Sequence, residues 1–303
     1  MKKKNLLLNN VKRHWELYLL IIPVVLYFAI FCYGPMYGAQ IAFRDYYPGM
    51  AILDAEWVGL ANFRRAFRSV TFWSAFKNTL TLSSMQLLFG FPMPIILAIV
   101  LNELRLKKLK KTLQTISYAP HFISTVAMAG ILLAFCSTHG LIGQIATSIV
   151  GEEINILTKP KAFKWIYVIS NIWKTTGWSA VIYISALSSV EVSQYEAAKM
   201  DGATRLQRIF YLDLPHLLPT AAVLLVLECG RVLNIGYEQI LMLQNDLNLT
   251  ASEVISTFAY KIGMFNRDYS FSTAVNLFNS VVNLALLSAV NFISKKLSGN
   301  GLW

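Results

Sequence analysis

Six stretches of apolar residues divide this chain, and each is long enough to cross a lipid bilayer as a helix. They lie near residues 17–37, 73–101, 115–136, 165–188, 217–236 and 271–294. A helix needs about 20 apolar residues to span roughly 30 Å of hydrocarbon. Glycine and proline within these stretches are compatible with helices in lipid, because neighbouring helices satisfy the freed backbone groups. The pattern predicts an all-α integral membrane protein with six transmembrane helices, forming a single domain over residues 1–303.

Composition supports a membrane protein, and the distribution of charge predicts its orientation. Only 14% of the 303 residues are charged, whereas soluble domains carry about 25%. If the N-terminus lies inside, the inner segments hold 15 Lys and Arg against six acidic residues, and the outer segments hold nine of each. Cytoplasmic loops are enriched in Lys and Arg. Both termini are therefore predicted to be cytoplasmic, and the net charge of +11 does not require a nucleic-acid partner.

The cysteines and the first apolar stretch predict neither a metal site nor a cleavable signal peptide. Cys32, Cys136 and Cys229 lie within apolar segments and are too scattered for a metal site, so we expect them to pack as small hydrophobic residues. The first apolar stretch runs too long, without a small-residue cleavage site, for a cleavable signal peptide to be expected.

A polar segment, residues 189–216, separates the fourth and fifth apolar stretches. Good helix formers run from Val190 to Leu206, and Gly202 interrupts them, so the segment is predicted to form two short helices that meet at a bend. Pro215 suits the first turn of the helix that follows. Composition alone leaves two interpretations open, an ordinary solvated loop or a surface offered to a soluble partner.

The order of residues in this segment resembles the coupling loop of binding-protein-dependent ABC importer permeases. The resemblance rests on Glu196-Ala-Ala, then Gly202, then Leu214-Pro215, with Leu212 where the family usually has Ile. It implies that the loop docks into a cleft on a cytoplasmic ATPase. The residues implied to contact that ATPase are Glu196, Ala197, Ala198, Asp201 and Gly202.

Further stretches extend the resemblance along the chain. Residues 33–38, 114–124 and 172–178 are similar to the sugar-importer permeases, and within them to the branch associated with oligosaccharides and polysaccharide fragments. The resemblance implies the type I importer permease fold in a bacterial cytoplasmic membrane. It also implies three kinds of protein partner in addition to lipid and substrate: a second homologous permease, two ATPase subunits and an extracellular or periplasmic sugar-binding protein.

Catalysis and cofactor binding are not expected in this chain. It has no Gly-x-x-x-x-Gly-Lys-Ser/Thr phosphate-binding loop, so it is predicted to bind no cofactor of its own. By the resemblance, ATP and Mg²⁺ belong to the partner ATPase subunits. An ion-coupled transporter is a competing interpretation, although no repeated halves are visible in the sequence. A permease for a solute other than a sugar also stays open.

Polar side chains within the fourth and fifth predicted spans are candidates for a substrate pathway. Such groups usually face a cavity or one another. Asn171, Lys174 and Trp178 share one face of the fourth helix, and Glu228 and Arg231 are predicted to share one face of the fifth. Hydrogen-bonding and aromatic side chains of this kind suit a sugar, and the basic groups suggest one that contains uronic acids.

Each of these candidates has a structural alternative. Glu228 and Arg231 could form an ion pair within one helix, Lys174 could extend toward the membrane surface, and Trp178 could belong to the interfacial aromatic belt. The asparagines of the last span are expected to join helices to one another; they are Asn276, Asn279 and Asn283.

Overall fold

The computed structural model of the chain describes residues 13–104 and 106–298 and is almost entirely helical. The α-helices are Trp15–Tyr27, Gly34–Met36, Ala61–Arg68, Val70–Met85, Pro92–Asn102, Lys107–Tyr118, Thr125–Cys136, Leu141–Val150, Pro160–Ser188, Val192–Met200, Arg205–Arg208, Leu214–Cys229, Tyr237–Leu243, Leu249–Ser252, Ile255–Met264 and Tyr269–Ser298. Phe28–Tyr33, Gln86–Gly90 and Ile209–Asp213 are π-helical, and Tyr37–Phe43, Ile52–Asp54, Ala119–Phe122 and Ile156–Thr158 are 3₁₀-helical. Two short strands, Arg44–Asp45 and Glu56–Trp57, pair antiparallel.

Among the described residues, five helical stretches are long and apolar enough to cross a membrane, and the third contains a turn at residues 137–140. They are Trp15–Phe43, Val70–Asn102, Thr125–Val150, Arg205–Cys229 and Tyr269–Lys296. We call the second and fourth the 70–102 helix and the 205–229 helix. The predicted spans 17–37, 73–101 and 271–294 lie inside three of these stretches. The all-α membrane fold is confirmed, whereas the count of six spans and the cytoplasmic termini stay predictions.

The predicted span 115–136 begins too early, although its end coincides with the end of helix Thr125–Cys136. Helix Lys107–Tyr118 ends in the 3₁₀ turn Ala119–Phe122, and Ile123 is extended. Pro120 starts that turn, and the Ser124 hydroxyl then accepts the Ala127 N–H at 3.1 Å and caps a new helix. The helix therefore begins at Thr125 and ends at Cys136. After a turn at residues 137–140, a second apolar helix, Leu141–Val150, lies in a region predicted to be a loop.

The predicted span 217–236 is displaced toward the C-terminus. The helix begins earlier, at Arg205, and passes through the π-helical turn Ile209–Asp213 before it ends at Cys229. Residues 230–236 form a non-helical turn. Arg231 is therefore beyond the helix, and Glu228 is in its last turn, so the prediction that the two share a helix face is wrong.

The fourth predicted span, 165–188, is part of one unbroken helix, Pro160–Ser188, which we call the central helix. Its 29 residues cover about 43 Å at 1.5 Å per residue. The described helices that are apolar enough for a span do not include it, because Lys, Asn, Ser and Thr residues occur along its length. It packs against the 70–102 and 205–229 helices and helix Lys107–Tyr118. Burial within the bundle therefore compensates for its lower hydrophobicity.

Three buried clusters hold the bundle together. Tyr167 and Phe163 of the central helix pack with Leu82 and Ile240 in the first. Phe72 of the 70–102 helix packs on Phe271 of the last helix, Tyr269–Ser298, in the second. A third cluster, near the other end of the central helix, joins it to the 70–102 and 205–229 helices. The same three helices enclose the cavity described below.

Candidate functional site

The polar segment 189–216 forms two helices separated by a glycine bend, as predicted. The first, Val192–Met200 (the 192–200 helix), ends at Asp201, and Gly202 follows with φ at +77°. This is the left-handed region that favours glycine. The Thr204 hydroxyl accepts the Gln207 N–H, and the Gln207 side chain accepts the Thr204 N–H at 2.7 Å. This capping box fixes the start of the next helix.

The residues predicted to contact an ATPase surround this bend. Glu196, Ala197, Asp201 and Gly202 are exposed, and Ala198 is half-buried. Two apolar neighbours that the motif did not single out, Met200 and Leu206, are 88% and 67% exposed. In the sequence, large apolar residues within an otherwise polar segment could have identified these two positions. Apolar surface rimmed by polar groups is typical of an interaction site, and docking through these residues stays a prediction.

A buried polar cluster beneath the 192–200 helix connects it to two long helices. The Tyr195 hydroxyl donates to Oδ1 of the fully buried Asp213, and accepts from Nδ2 of Asn102 at 3.3 Å. Nearby, the Arg208 guanidinium lies 3.5 Å from Oε2 of Glu103. Asn102 is the last residue of the 70–102 helix, and Asp213 and Arg208 belong to the 205–229 helix. These contacts connect the 192–200 helix to both long helices.

The environment of Tyr195 keeps its hydroxyl protonated. Burial, together with the hydrogen bond to Asp213 and the charge of that carboxylate, raises the pKa of Tyr195 to about 12. The sequence motif did not identify Tyr195 or Asp213, because the contact joins residues 18 positions apart. The hydroxyl therefore remains a hydrogen-bond donor across the physiological pH range.

Removing this hydroxyl should loosen the 192–200 helix. Tyr195→Phe leaves Oδ1 of Asp213 buried without its donor, which costs about 1–3 kcal/mol. We expect a lower thermal unfolding temperature and faster amide hydrogen exchange over residues 192–200. Tyr211→Phe is the matched control, because Tyr211 is 77% exposed. Equal behaviour of the two variants would contradict an anchoring role for Tyr195.

A cavity of about 380 Å³ lies among the 70–102 helix, the central helix, the 205–229 helix and the turn 230–236. Its polar lining combines amides, hydroxyls and one pair of opposite charges. The residues concerned are Ser83, Gln86, Tyr167, Asn171, Thr175, Ser179, Tyr183, Glu228, Arg231 and Asn234. Apolar side chains such as Leu87, Phe91 and Leu224 complete the wall. A mixed polar and apolar lining of this kind suits a sugar, whose hydroxyls need hydrogen bonds and whose ring faces are apolar.

The structure brings three of the five predicted pathway residues together. Asn171, Glu228 and Arg231 line the cavity, whereas Lys174 and Trp178 do not. Trp178 stacks on His121, with ring centroids 4.7 Å apart. Thr175 and Ser179 occupy the cavity face of the central helix instead. Glu228 and Arg231 form no salt bridge within 4.0 Å, so the described residues do not support an ion pair between them.

Asparagines of the last helix hold the turn that presents Arg231 and Asn234. The Leu233 N–H donates to Oδ1 of Asn283 at 3.1 Å, and Nδ2 of Asn279 donates to Oδ1 of Asn234 at 3.2 Å. Asn279 and Asn283 are buried, whereas Asn276 is exposed. Asn279 and Asn283 therefore connect the last helix to another segment of the bundle, as expected. Among the described residues, no cluster of His, Cys, Asp and Glu could hold a metal ion.

Comparison with known families decides which class of membrane protein this is. Residues 90–299 match the family described as "Binding-protein-dependent transport system inner membrane component". The chain belongs to this family. The match includes most of the cavity lining and the whole segment 189–216. It establishes a multi-pass inner-membrane permease component that works with a binding protein, and it favours this class over an ion-coupled transporter.

Individual relatives are similar over nearly the whole chain. Protein LplB of Bacillus subtilis (strain 168) is 42% identical over 97% of this chain and 92% of its own. The polygalacturonan/rhamnogalacturonan transport system permease protein YteP of the same organism is 40% identical over 100% and 94%. A permease chain of a bacterial alginate ABC transporter, solved in complex with an alginate pentasaccharide-bound periplasmic protein, is 40% identical over 97% and 99%, with a TM-score of 0.89.

Proposed function

We propose that this permease is a transmembrane subunit of an ATP-driven importer and that it carries an oligosaccharide containing uronic acids. One observation carries the proposal: a single helix connects the exposed bend to the cavity. The 205–229 helix begins three residues after Gly202 and ends one residue after Glu228, which lines the cavity. Its 25 residues reach about 37 Å. A displacement at the bend can therefore move the cavity wall.

The mechanism needs partners that this chain does not supply. A second homologous permease would complete the translocation path, and two cytoplasmic ATPase subunits would bind ATP and Mg²⁺. Closure of the ATPases would press on the bend around Gly202, and the Tyr195–Asp213 contact would pass that motion to the 205–229 helix. The cavity would then open toward a docked binding protein and receive its sugar, and ATP hydrolysis would return the cavity to the inside. This is alternating access between two conformations.

Both the lining and the relatives support an acidic cargo. Arg231 contributes a positive charge to the cavity, and Asn171, Gln86 and Asn234 contribute amides. YteP is named for polygalacturonan and rhamnogalacturonan, and the structural relative for alginate, and all three are polymers with uronic acids. Glu228 sits in the same cavity, so the neutral hydroxyls of the sugar also have an acceptor.

The direct test is transport by the reconstituted importer. The chain is placed in proteoliposomes with its co-encoded permease, ATPase and binding protein, and uptake of trigalacturonate is measured with and without ATP. We expect ATP-dependent uptake that requires the loaded binding protein. Uptake that proceeds without an ATPase, or ATP-driven uptake of neutral oligosaccharides alone, would refute the proposal or its acidic cargo respectively.

Arg231→Ala tests whether the cavity recognises the charge of the cargo. Loss of one charge-assisted hydrogen bond costs about 1.5–3 kcal/mol, so we expect kcat/KM for trigalacturonate to fall at least about tenfold. Uptake of its uncharged methyl ester should change less than about twofold. Lys174→Ala is the control, because Lys174 lies outside the cavity lining. An equal loss for both substrates would show that Arg231 acts only on the structure.

A further inference from the structure

Two lysines lie beyond one end of the cavity, on two of the helices that enclose it. Lys164 is on the central helix and Lys77 on the 70–102 helix. Lys164 is half-buried, and its Nζ donates to Oδ1 of Asn78 at 3.2 Å. Lys77 immediately precedes Asn78, the partner of Lys164, so the two lysines lie near each other at the contact between the two helices. They therefore form a small region of positive charge between two helices.

Asn78 holds Lys164 toward the protein interior. Asn78 is 6% exposed, and its Nδ2 donates to the backbone oxygens of Thr250 at 2.9 Å and Glu253 at 3.1 Å. Because both amide hydrogens are used, Oδ1 is fixed in the direction of Lys164. A lysine that only serves the membrane surface extends its ammonium away from the apolar zone. Lys164 is instead drawn toward a buried amide.

The described residues provide no counter-ion for this pair. Neither lysine has a carboxylate within 4.0 Å. Glu253, whose backbone accepts from Asn78, has its own carboxylate engaged by Lys261 at 2.7 Å and by the Thr257 hydroxyl at 2.8 Å. Two like charges near each other in a partly desolvated position are unfavourable unless an anion joins them.

The position of the lysines relates them to the cavity. Lys164 precedes Asn171 by seven residues, which is about two helical turns, so the two side chains share a face of the central helix. Tyr167, one turn from Lys164, lines the cavity. Next to Lys164, Trp165 is 46% exposed, and its ring lies 5.1 Å from that of Phe89. Basic side chains and an exposed aromatic ring, all near this end of the central helix, are the kinds of group that bind a sugar bearing a carboxylate.

We propose that Lys77 and Lys164 bind a uronate carboxylate of the transported oligosaccharide before it enters the cavity, while Trp165 stacks on a sugar ring. This uronate site rests on the proposed function and adds a specificity-determining position to it. The basic residue within the cavity lining is Arg231, so the path presents positively charged side chains at two successive places. A chain of uronates can then be held at one place while it is released at the other.

Charge-removing variants of both lysines test the uronate site in the reconstituted importer. We expect Lys164→Gln and Lys77→Gln each to lower kcat/KM for trigalacturonate about tenfold, with less than about twofold change for its methyl ester. Lys164→Arg should restore uptake to within about threefold of the unmodified protein. Lys161→Gln is the matched control, three residues earlier on the same helix and exposed, and should behave as the unmodified protein.

Specific outcomes overturn the uronate site. Equal losses for both substrates, unchanged uptake, or failure of Lys164→Arg to restore uptake would each reject it. An effect of Lys164→Gln that disappears in vesicles without anionic lipid would assign the lysines to lipid headgroups. If the importer does not carry the ester, the uronate site is accepted or rejected on whether Lys164→Arg transports trigalacturonate better than Lys164→Gln. If Lys164→Gln lowers the thermal unfolding temperature, the uronate site is accepted or rejected on the effect of Lys77→Gln, because Lys77 is exposed.

Failure of the uronate site can be told apart from failure of the proposed function. If Arg231→Ala discriminates between the two substrates and the lysine variants do not, the importer carries uronates and only the lysine site is wrong. If the unmodified importer carries neutral oligosaccharides and no trigalacturonate, the acidic cargo and the uronate site are both wrong.

Discussion

Gly202→Pro should abolish transport while leaving the chain in the membrane. Gly202 has φ at +77° and donates its N–H to the Lys199 carbonyl at 3.1 Å. Proline fixes φ near −65° and has no N–H, and a misplaced proline costs about 3 kcal/mol, roughly a 100-fold change in an equilibrium. The bend cannot form, so the 192–200 helix loses its orientation relative to the 205–229 helix. We expect uptake at background and loss of ATPase co-purification.

Gly151→Pro is the matched control for this variant. Gly151 ends helix Leu141–Val150 with φ at +83°, and its N–H donates to the Thr147 carbonyl at 2.8 Å. The backbone strain is therefore comparable, but the position lies outside the segment 189–216. Gly151→Pro should retain ATPase binding even if it lowers the unfolding temperature. Normal ATP-driven uptake by Gly202→Pro would remove the basis for a docking role of the bend.

Gly177→Val should prevent the bundle from packing. Gly177 is buried on the central helix, where a Cβ atom would overlap the backbone carbonyl of Ser117 at the end of helix Lys107–Tyr118. A backbone cannot move aside as a flexible side chain can, so we expect a loss of about 3 kcal/mol, the upper end for overpacked sites. The measurement is the yield of monodisperse protein in detergent and its thermal unfolding temperature.

Gly130→Val separates overlap from a general effect of valine in a helix. Gly130 lies within helix Thr125–Cys136, and a Cβ there meets no atom within 4 Å. This variant should change the unfolding temperature by less than about a third of the Gly177→Val effect. Similar losses in both would mean that the contact of Gly177 with Ser117 is not the cause.

The lengths of the apolar stretches predicted the class of fold. The start of the third span and the end of the fifth depended instead on polar contacts that the lengths do not show. The apolar stretch 115–136 is periodic enough for a helix, but Pro120 and the capping hydroxyl of Ser124 divide it. The predicted fifth span includes residues 230–236, in which Val232, Leu233 and Ile235 are apolar. Hydrogen bonds that Asn279 donates and Asn283 accepts hold that region as a turn. Contacts of this kind, between distant segments, are not visible in a local pattern.

The candidate site was predictable to different extents in its two parts. The bend at Gly202 followed from one glycine among helix formers and from the spacing of a known motif. Of the predicted pathway residues, Asn171, Glu228 and Arg231 line the cavity. Lys174 and Trp178 do not, because a three- to four-residue spacing does not distinguish adjacent faces of a helix. Tyr195 and Asp213 were missed, because their contact depends on how far the helix rotates between them.

The rotation of the 205–229 helix is set by its π-helical turn, Ile209–Asp213. Such a turn accommodates one residue more than an α-helix would. Excising a single residue from it would let the segment close into a regular α-turn with little rotation of Arg208 relative to the residues that follow. Excising a residue from the α-helical part, Leu214–Cys229, would instead rotate everything upstream by about 100°. Between the bend and the cavity, the π-helical turn is therefore the place where natural or designed variants of this permease can lose one residue at the least structural cost.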